Sequence, residues 1–379
     1  MAKVITTELQ HSGASGANIT LGSSKDVTFH GTVSGDNKPF RNLIINGAMQ
    51  VNQRGTVANA GNEYAGPDRY LFKKNDGAMT ISQDASSPEG FGSSWKCDVT
   101  SVSGTAGANY VYLQQRIEAQ NLQHIKKGTS NAQQLTLSFW IKSTKTGTYI
   151  AEIWDNGNSR GCSKSYTVNT TNTWEKKTIT FPADTTGTIA NDNSIGLMVN
   201  LWIFAGSNYT SGTLQSGWQT TTANRAVGQV NGGDNTSNDI LFTGIQLETG
   251  ETATDFEHRS YGDELARCQR YYYRVKGLSN GDDFGTGFNT TTTQCRPTIV
   301  FPVTMRTAVS ALEQSGDATD YMVAHTNAET TCSAVPTFSG GSEYNARVVL
   351  TVSSGLTAGQ GSAGRAVNSD GYLGFSAEL

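Results

Sequence analysis

Five residues that could do chemistry lie close together in the sequence: Glu248, Glu251, Asp255, Glu257 and His258, here called the acidic cluster. Two carboxylates on either side of a glycosidic bond are the usual catalytic pair of a glycoside hydrolase. Carboxylate oxygens in a loop are also typical ligands of a structural calcium ion. The third interpretation, which the sequence favours, is a solvated loop after a strand.

No other sequence pattern completes an enzyme active site. The chain has no GxSxG, no HExxH and no glycine-rich phosphate loop, and its five histidines are far apart. We therefore predict a protein that is not an enzyme, with no catalytic residue, no metal site and no cofactor. Structural calcium at the acidic cluster is the alternative.

Aromatic residues in polar loops could instead bind sugars, because the C–H face of a sugar stacks on a ring while its hydroxyls bond to Asn, Asp and Gln. Tyr209 and Trp218 flank the loop SNYTSGTLQSGWQ, and Trp154 precedes DNGNSRG. Each is a candidate sugar platform, although a ring that only covers the rim of the domain is the commoner case. Trp140 and Trp202 lie within strand patterns and are predicted to pack.

Two C-terminal loops carry rival candidates for a receptor site. Phe338 and Tyr344 belong to TFSGGSEYN, and Phe284 and Phe288 belong to SNGDDFGTGFN. If the N-terminus is the anchor, these loops lie at the distal tip. We therefore predict them as the first receptor or glycan contacts.

The composition predicts strands as the elements that position these residues. The chain has 379 residues, enough for two or three domains, and 42 of them are glycine. Charged residues make up 16%, against about 25% in ordinary soluble domains. Thr packs well on a pleated surface, while Asn and Gly accept turn dihedrals, so an all-β fold is expected.

Alternating apolar residues indicate several strands between residues 41 and 259. LTLSFWIK places Leu135, Leu137 and Phe139 on one face. TYIAEIWD, KKTITFP and NDILFTGIQLE repeat the pattern, which favours an antiparallel jelly-roll sandwich. SIGLMVNLWIF is apolar on both faces, which predicts a strand that is central in a sheet or covered by another subunit.

The stretch YGDELARCQRYYYRV interrupts the strands with a helical pattern. Ser260 or Asp263 can cap a short helix, with Cys268 on its inner side and Arg267 and Arg270 pointing outward. The helix is predicted to close the first sandwich.

Three tyrosines follow this helix in a strand pattern. Tyr271 and Tyr273 would face one way and Tyr272 the other. Residues 260–275 are thus a helix-strand connector, and residues 276–379 are predicted to form a second, smaller β-sandwich.

Residues 1–40 are too short and too weakly apolar to fold alone. Two alternating pieces, NITL and DVTFHGTV, predict an extended segment that docks on another chain; a flexible terminus is the alternative. The residues expected to make this attachment are Ile19, Leu21, Val27 and Phe29.

Charge and hydropathy exclude several classes of partner. The net charge is −4, and no basic run is longer than pairs such as Lys126-Lys127, so nucleic acid is not expected. No run reaches the roughly 20 apolar residues that span a bilayer, and MAKVITTELQ lacks the apolar core of a signal peptide. The five cysteines are scattered, which predicts reduced, mostly buried thiols in a protein made in the cytoplasm.

Three phrases carry a resemblance to a known group of proteins: RNLIINGAMQVNQRG at 41–55, GPDRY at 66–70 and FTGIQLETGETATDFEHRSYGDELARCQRYY at 242–272. They resemble a module of bacteriophage tail fibres and related virion proteins, which is itself similar to a carbohydrate-binding jelly roll. The resemblance covers about residues 41–275. It implies a homotrimeric virion component, attached through its N-terminus to other tail or virion proteins, that exposes later domains to a bacterial surface polysaccharide.

The expected function is therefore a trimeric tail fibre that binds a host surface glycan. The alternatives are a non-binding structural component, such as a tail adaptor, head decoration or head fibre, and a polysaccharide-degrading tailspike. The third is disfavoured because a hydrolase resembling a parallel β-helix would have long regular repeats, which this sequence lacks.

Overall fold

The computed structural model describes residues 40–104, 106–214, 217–278, 281–326 and 328–379, together with the backbone of three short N-terminal strands. Every strand pair in this part of the chain is antiparallel. The predicted all-β class is therefore confirmed.

The first fourteen strands are β1 (Glu8–Leu9), β2 (Ile19–Leu21), β3 (Val27–Phe29), β4 (Glu63–Tyr64), β5 (Leu71–Lys74), β6 (Ala78–Asp84), β7 (Ser94–Ser101), β8 (Tyr110–Glu118), β9 (Leu135–Ser143), β10 (Gly147–Asp155), β11 (Arg160–Val168), β12 (Glu175–Phe181), β13 (Ile195–Ala205) and β14 (Asp239–Thr249). The remaining ten are β15 (Tyr272–Lys276), β16 (Asp283–Asn289), β17 (Gln294–Val300), β18 (Glu313–Gln314), β19 (Tyr321–His325), β20 (Ala328–Thr331), β21 (Ala334–Gly341), β22 (Asn345–Thr351), β23 (Gly361–Ala366) and β24 (Tyr372–Ser376). The helices are α1 (Ser207–Thr210), α2 (Tyr261–Gln269) and the 3-10 helices Ala119–Ile125, Thr222–Asn224 and Ala318–Asp320.

The N-terminal strands β1, β2 and β3 form a three-stranded sheet. Ile19 is opposite Phe29 in its register, and Leu21 is opposite Val27. The side chains of these four predicted attachment residues lie outside the described part of the chain.

Two sheets form the first sandwich. One has the strand order β11-β10-β13-β8-β5-β4 and the other β12-β9-β14-β7-β6. Their facing residues make one core, in which Leu135, Leu137 and Phe139 of β9 are buried as the alternation predicts. Trp95, Phe72 and other large side chains fill the space between the sheets.

Strand β13 is central in its sheet, between β10 and β8. Its outer face is covered by the same chain, because Trp202 (0% exposed) packs with Tyr209, Leu214 and Ala226 of the segment that follows. Trp202 is therefore a packing residue, as predicted. No second subunit is needed to cover this strand, so its two apolar faces give no support to a trimer.

Helix α2 begins where the sequence predicts, since the Ser260 side chain accepts a hydrogen bond from the Asp263 N–H at 3.2 Å. Cys268 is buried, and its thiol lies near the charged groups of Asp68 and Arg69. Arg270 differs from its prediction, because it does not point outward but forms an ion pair with Glu118 of β8. The end of the helix is thereby attached to the first sandwich.

The three tyrosines after α2 have three different environments. Tyr271 precedes β15 and donates a hydrogen bond to Glu118 at 2.5 Å, so it contacts the first sandwich. Tyr272 donates to Glu313 at 2.7 Å. Tyr273 packs against the second core. The alternation of Tyr272 and Tyr273 is as predicted, but Tyr271 does not share the surroundings of Tyr273.

The second sandwich joins a seven-stranded sheet, β20-β19-β23-β16-β17-β22-β21, to a three-stranded sheet, β15-β24-β18. Its core is separate from the first and includes Tyr321, Leu350 and Phe375. We propose the predicted units, 41–259, 260–275 and 276–379, as the domain organisation.

Candidate functional site

Two carboxylates of the acidic cluster form structural hydrogen bonds at the ends of the first sandwich. Glu248 is buried and accepts hydrogen bonds from the N–H and hydroxyl of Thr254 at 2.9 and 2.7 Å. Glu257 accepts from the backbone N–H groups of Phe40 and Asn42 at 3.1 and 2.8 Å. These two carboxylates are thus occupied by donors of the protein itself, which is a structural arrangement.

The pKa of Glu257 is lowered. Burial acts to raise it, but the hydrogen bond from the Asn42 N–H and the charge of Arg259 outweigh burial. This carboxylate is therefore held ionised, whereas the general acid of a glycoside hydrolase has a raised pKa that keeps it protonated. Within the described ranges no group of three His, Cys, Asp or Glu side chains is placed to hold a metal ion.

The four C-terminal aromatic candidates separate into exposed and buried rings. Tyr344 and Phe288 are 61% and 55% exposed. Phe338 is half-buried against the second core. Phe284 is only 6% exposed and lies 5.8 Å from the Tyr321 ring, so it is a core residue instead of an accessible ring in a loop.

Trp154 and Tyr209 lie on the outer face of the six-stranded sheet, around one arginine. The guanidinium carbon of Arg225 is 4.3 Å from the Trp154 ring centroid and 6.0 Å from that of Tyr209. Arg225 also donates twice to Glu152, at 2.7 Å each. The half-buried rings of Trp154 and Tyr209 therefore belong to an arginine-centred aromatic group that the spacing of the sequence did not reveal.

A row of buried polar groups continues from this arginine across the sheet. Asn200 donates to Glu152 at 2.8 Å, Gln114 donates to Asn200 at 2.8 Å, and Arg116 donates to Gln114 at 2.8 Å. Glu152, Asn200 and Gln114 are all buried. Each polar group has a partner, so the row fixes the side chains of three neighbouring strands in one arrangement.

Trp218 covers the rim of the first sandwich. Its indole N–H donates to the Pro182 carbonyl at 2.9 Å, and the ammonium of Lys127 is 5.3 Å from its ring. The ring is half-buried against the first core. This is the covering role that was the alternative to a sugar platform.

A cleft of about 760 Å³ lies between the two sandwiches. The first sandwich contributes Lys73 and Arg116 from β5 and β8 and Tyr64 from β4; the second contributes Arg274 and Tyr372 from β15 and β24. Ligand pockets of proteins commonly have volumes of about 300 to 1,000 Å³. Polar side chains and two tyrosine rings line a space of that size.

Two arginines of the cleft have carboxylate partners. Arg54 is 3.3 Å from Glu378, and Arg274 is 3.6 Å from Glu313. The guanidinium of Arg274 also lies 3.9 Å from the Tyr372 ring centroid. These contacts fix one side of the cleft.

The other two cations of the cleft are Lys73 and Arg116. In the described ranges, neither Lys73 nor Arg116 forms an ion pair with an Asp or Glu side chain. Burial, and then the nearby charge of Arg116, lower the pKa of Lys73. Sequence reasoning missed both residues, because they share a cleft only through the pairing of β5 with β8, which are far apart in the sequence.

No helix in the described ranges is long and apolar enough to cross a membrane. No protein-family model matches the sequence, and no curated protein matches it.

Several solved structures resemble parts of the chain. The enzymatically active domain of tailspike protein 4 of bacteriophage CBA120 is 13% identical over 56% of this chain, with a TM-score of 0.31; the matched part is only 22% of that protein. A putative sugar binding protein from Bacteroides thetaiotaomicron is 12% identical over 55% of this chain and all of its own length, with a TM-score of 0.32.

A family 11 carbohydrate-binding module from Clostridium thermocellum, in complex with a mixed-linked tetrasaccharide, is 15% identical over 52% of this chain and 98% of its own length, with a TM-score of 0.27. All three TM-scores are below 0.5, so these resemblances establish neither a shared function nor a shared site.

Proposed function

We propose that this chain is a non-enzymatic bacteriophage virion protein, a trimeric tail fibre that binds a bacterial surface glycan in the cleft between its two sandwiches. The observation that carries the proposal is the cleft itself, which combines the rings of Tyr64 and Tyr372 with hydrogen-bonding side chains in about 760 Å³. Rings offer a stacking surface for sugar, and the polar side chains can bond to hydroxyls.

The resemblance of residues 41–55 and 242–272 to tail-fibre modules supports the virion assignment. Residues 1–40 would attach the chain to another tail or virion protein through Ile19, Leu21, Val27 and Phe29. Three copies on one axis would multiply weak glycan affinities by avidity. Light scattering should then give a mass near three times that of the 40.4 kDa chain, and immunogold electron microscopy should label the tail.

Glycan binding is tested with the labelled full-length protein on an array of bacterial surface polysaccharides. Tyr64→Ala and Tyr372→Ala should each reduce binding about tenfold, because each removes a ring on which a sugar can stack; this corresponds to about 1.4 kcal/mol of binding free energy. Tyr261→Ala is the matched control, because Tyr261 is exposed on α2 and lines no part of the cleft. Thermal unfolding checks that each variant is folded.

The exposed rings of the second sandwich are the rival site. If Tyr344→Ala or Phe288→Ala abolishes array binding while both cleft variants bind normally, the receptor site is at those rings and the cleft is not. If no polysaccharide binds at all, the glycan-binding proposal fails and the structural alternative takes its place. Release of reducing ends from host capsule would contradict the non-enzymatic assignment.

A further inference from the structure

The charge of the cleft differs in sign from that of the chain. Four of its lining residues are cationic, namely Arg54, Lys73, Arg116 and Arg274, and two are anionic, Glu63 and Glu313. The whole chain has a net charge of −4. A local excess of positive charge in a concave site attracts anionic ligands, because the surrounding protein focuses the field.

This excess is concentrated on one wall. Lys73 and Arg116 lie on the paired strands β5 and β8, where Lys73 is opposite Tyr112. Arg116 donates hydrogen bonds to the Gln114 side chain and to the backbone oxygen of Leu379, the last residue of the sequence, while in the described ranges no Asp or Glu side chain pairs with it or with Lys73. Two like charges that share a half-buried wall repel each other, and an anion bound between them would relieve that repulsion.

The rest of the cleft suits a sugar better than a bare inorganic anion. Tyr64 and Tyr372 supply ring surface, and Thr56, Asn62 and Ser376 supply small hydrogen-bonding groups. Glu63 and Glu313 would repel a second anion but can accept hydrogen bonds from hydroxyls. A ligand that fits all of these groups has one acidic group and several hydroxyls.

We propose that the cleft binds an acidic saccharide, with the carboxylate of a uronic or sialic acid unit held between the Lys73 ammonium and the Arg116 guanidinium. The inference rests on the proposed glycan-binding function and adds the class of sugar. Charge-assisted hydrogen bonds from two cations would select such a unit over a neutral one.

The test compares acidic oligosaccharides with their uncharged counterparts. Calorimetric titration of the full-length protein would use two oligosaccharides that each carry a single acidic unit, a neutral xylo-oligosaccharide bearing one glucuronic acid and a lactose bearing one N-acetylneuraminic acid, each beside its carboxyl-reduced form. We expect binding of at least one acidic probe at about 0.05 M salt, at least tenfold weaker binding of its reduced form, and clear weakening at about 0.3 M salt as the charges are screened.

Variants at Lys73 test whether the wall formed by Lys73 and Arg116 binds the acidic probe. Lys73→Gln should weaken binding of the acidic probe about tenfold, and Lys73→Arg should restore most of it because the charge remains. Lys176→Gln is the matched control, since Lys176 is exposed on β12 of the opposite sheet. A thermal melt of each variant excludes misfolding.

Three outcomes would overturn this inference. They are equal affinity for the acidic and reduced probes, normal binding by Lys73→Gln, and binding of inorganic sulfate without either acidic oligosaccharide. If the protein binds neutral polysaccharides on the array but neither acidic probe, the acidic class is wrong while the proposed glycan-binding function stands.

Discussion

Arg270, at the end of helix α2, donates two hydrogen bonds to Glu118, at 2.9 and 3.0 Å, although 152 residues separate them in the sequence. Glu118 is 0% exposed and also accepts the hydroxyl of Tyr271 at 2.5 Å. One carboxylate on β8 therefore holds both the end of the helix and the residue that leads into the second sandwich.

Glu118→Gln should destabilise the protein by about 1–3 kcal/mol at neutral pH, since a partly buried arginine loses its counter-charge. Burial acts to raise the pKa of Glu118, but hydrogen bonds from Arg270 and Tyr271 outweigh burial and lower it below 4.5. A lowered folded-state pKa stabilises the protein above that value, and the contribution disappears as the pH falls through the folded pKa.

Urea unfolding at several pH values checks this expectation. The free energy of unfolding should fall more steeply for the wild type than for Glu118→Gln once the pH drops below about 4.5. Glu329→Gln is the control, because Glu329 forms an exposed pair with Arg365 at 2.7 Å and should cost less than about 1 kcal/mol. Parallel pH curves for wild type and Glu118→Gln would contradict the assigned role.

Arg69→Ala should uncouple the two sandwiches. Arg69 is buried, pairs with Glu378 from the end of the second sandwich, and lies 3.4 Å from the Tyr271 ring centroid. Removing it leaves part of Glu378 without its partner at the contact between the sandwiches. Differential scanning calorimetry should resolve two transitions in the variant where the wild type has one, and Arg365→Ala should not have this effect.

Phe284→Ala and Tyr344→Ala should differ sharply in stability. Phe284 is in the second core, so its loss should cost about 3–5 kcal/mol. Tyr344 is exposed, so Tyr344→Ala should change the free energy of unfolding by no more than about 0.5 kcal/mol. Chemical denaturation measures both. A stable Phe284→Ala protein would mean that the ring does not fill the core as described.

All five thiols should be unreactive in the folded protein. Every cysteine is buried, and burial raises the pKa of Cys162 and Cys295 to about 11 and that of Cys332 to about 12. At pH 8 the thiolate fraction of such groups is about 0.1% or less. Ellman's reagent should therefore detect none of them before denaturation and five afterwards. Rapid native reaction would contradict their burial.

Sequence patterns predicted where strands and helices lie better than they predicted which side chains are buried. Alternation identified β9, and the two candidate caps, Ser260 and Asp263, located the start of α2, which Ser260 caps, because both signals depend on near neighbours in the sequence. Phe284 and Phe288 are four residues apart, so plain alternation would put both on one face. A register shift between Asp283 and Gly285 breaks the alternation of β16, so Phe284 is buried while Phe288 is exposed.

The cleft could not be predicted from sequence patterns. Lys73 and Arg116 line one wall of it because β5 pairs with β8, and Tyr372 lines it because the second sandwich lies beside the first. Arg270 was expected to face solvent for the same reason, since its partner on β8 is distant in the sequence. Long-range pairing of this kind leaves no periodic signal.

The hydrogen bond from the Phe40 N–H to Glu257 spans 217 positions of the chain and joins the N-terminal end of the first sandwich to its C-terminal end. Arg259 reinforces it by donating to the Asn42 carbonyl oxygen at 2.5 Å. A unit whose two ends lie side by side can be replaced by one of different size without moving the flanking chain, provided that the replacement keeps a carboxylate for Arg270 and an arginine for Glu378. Recombination at this junction would then exchange the first sandwich and leave the path of the flanking chain unchanged.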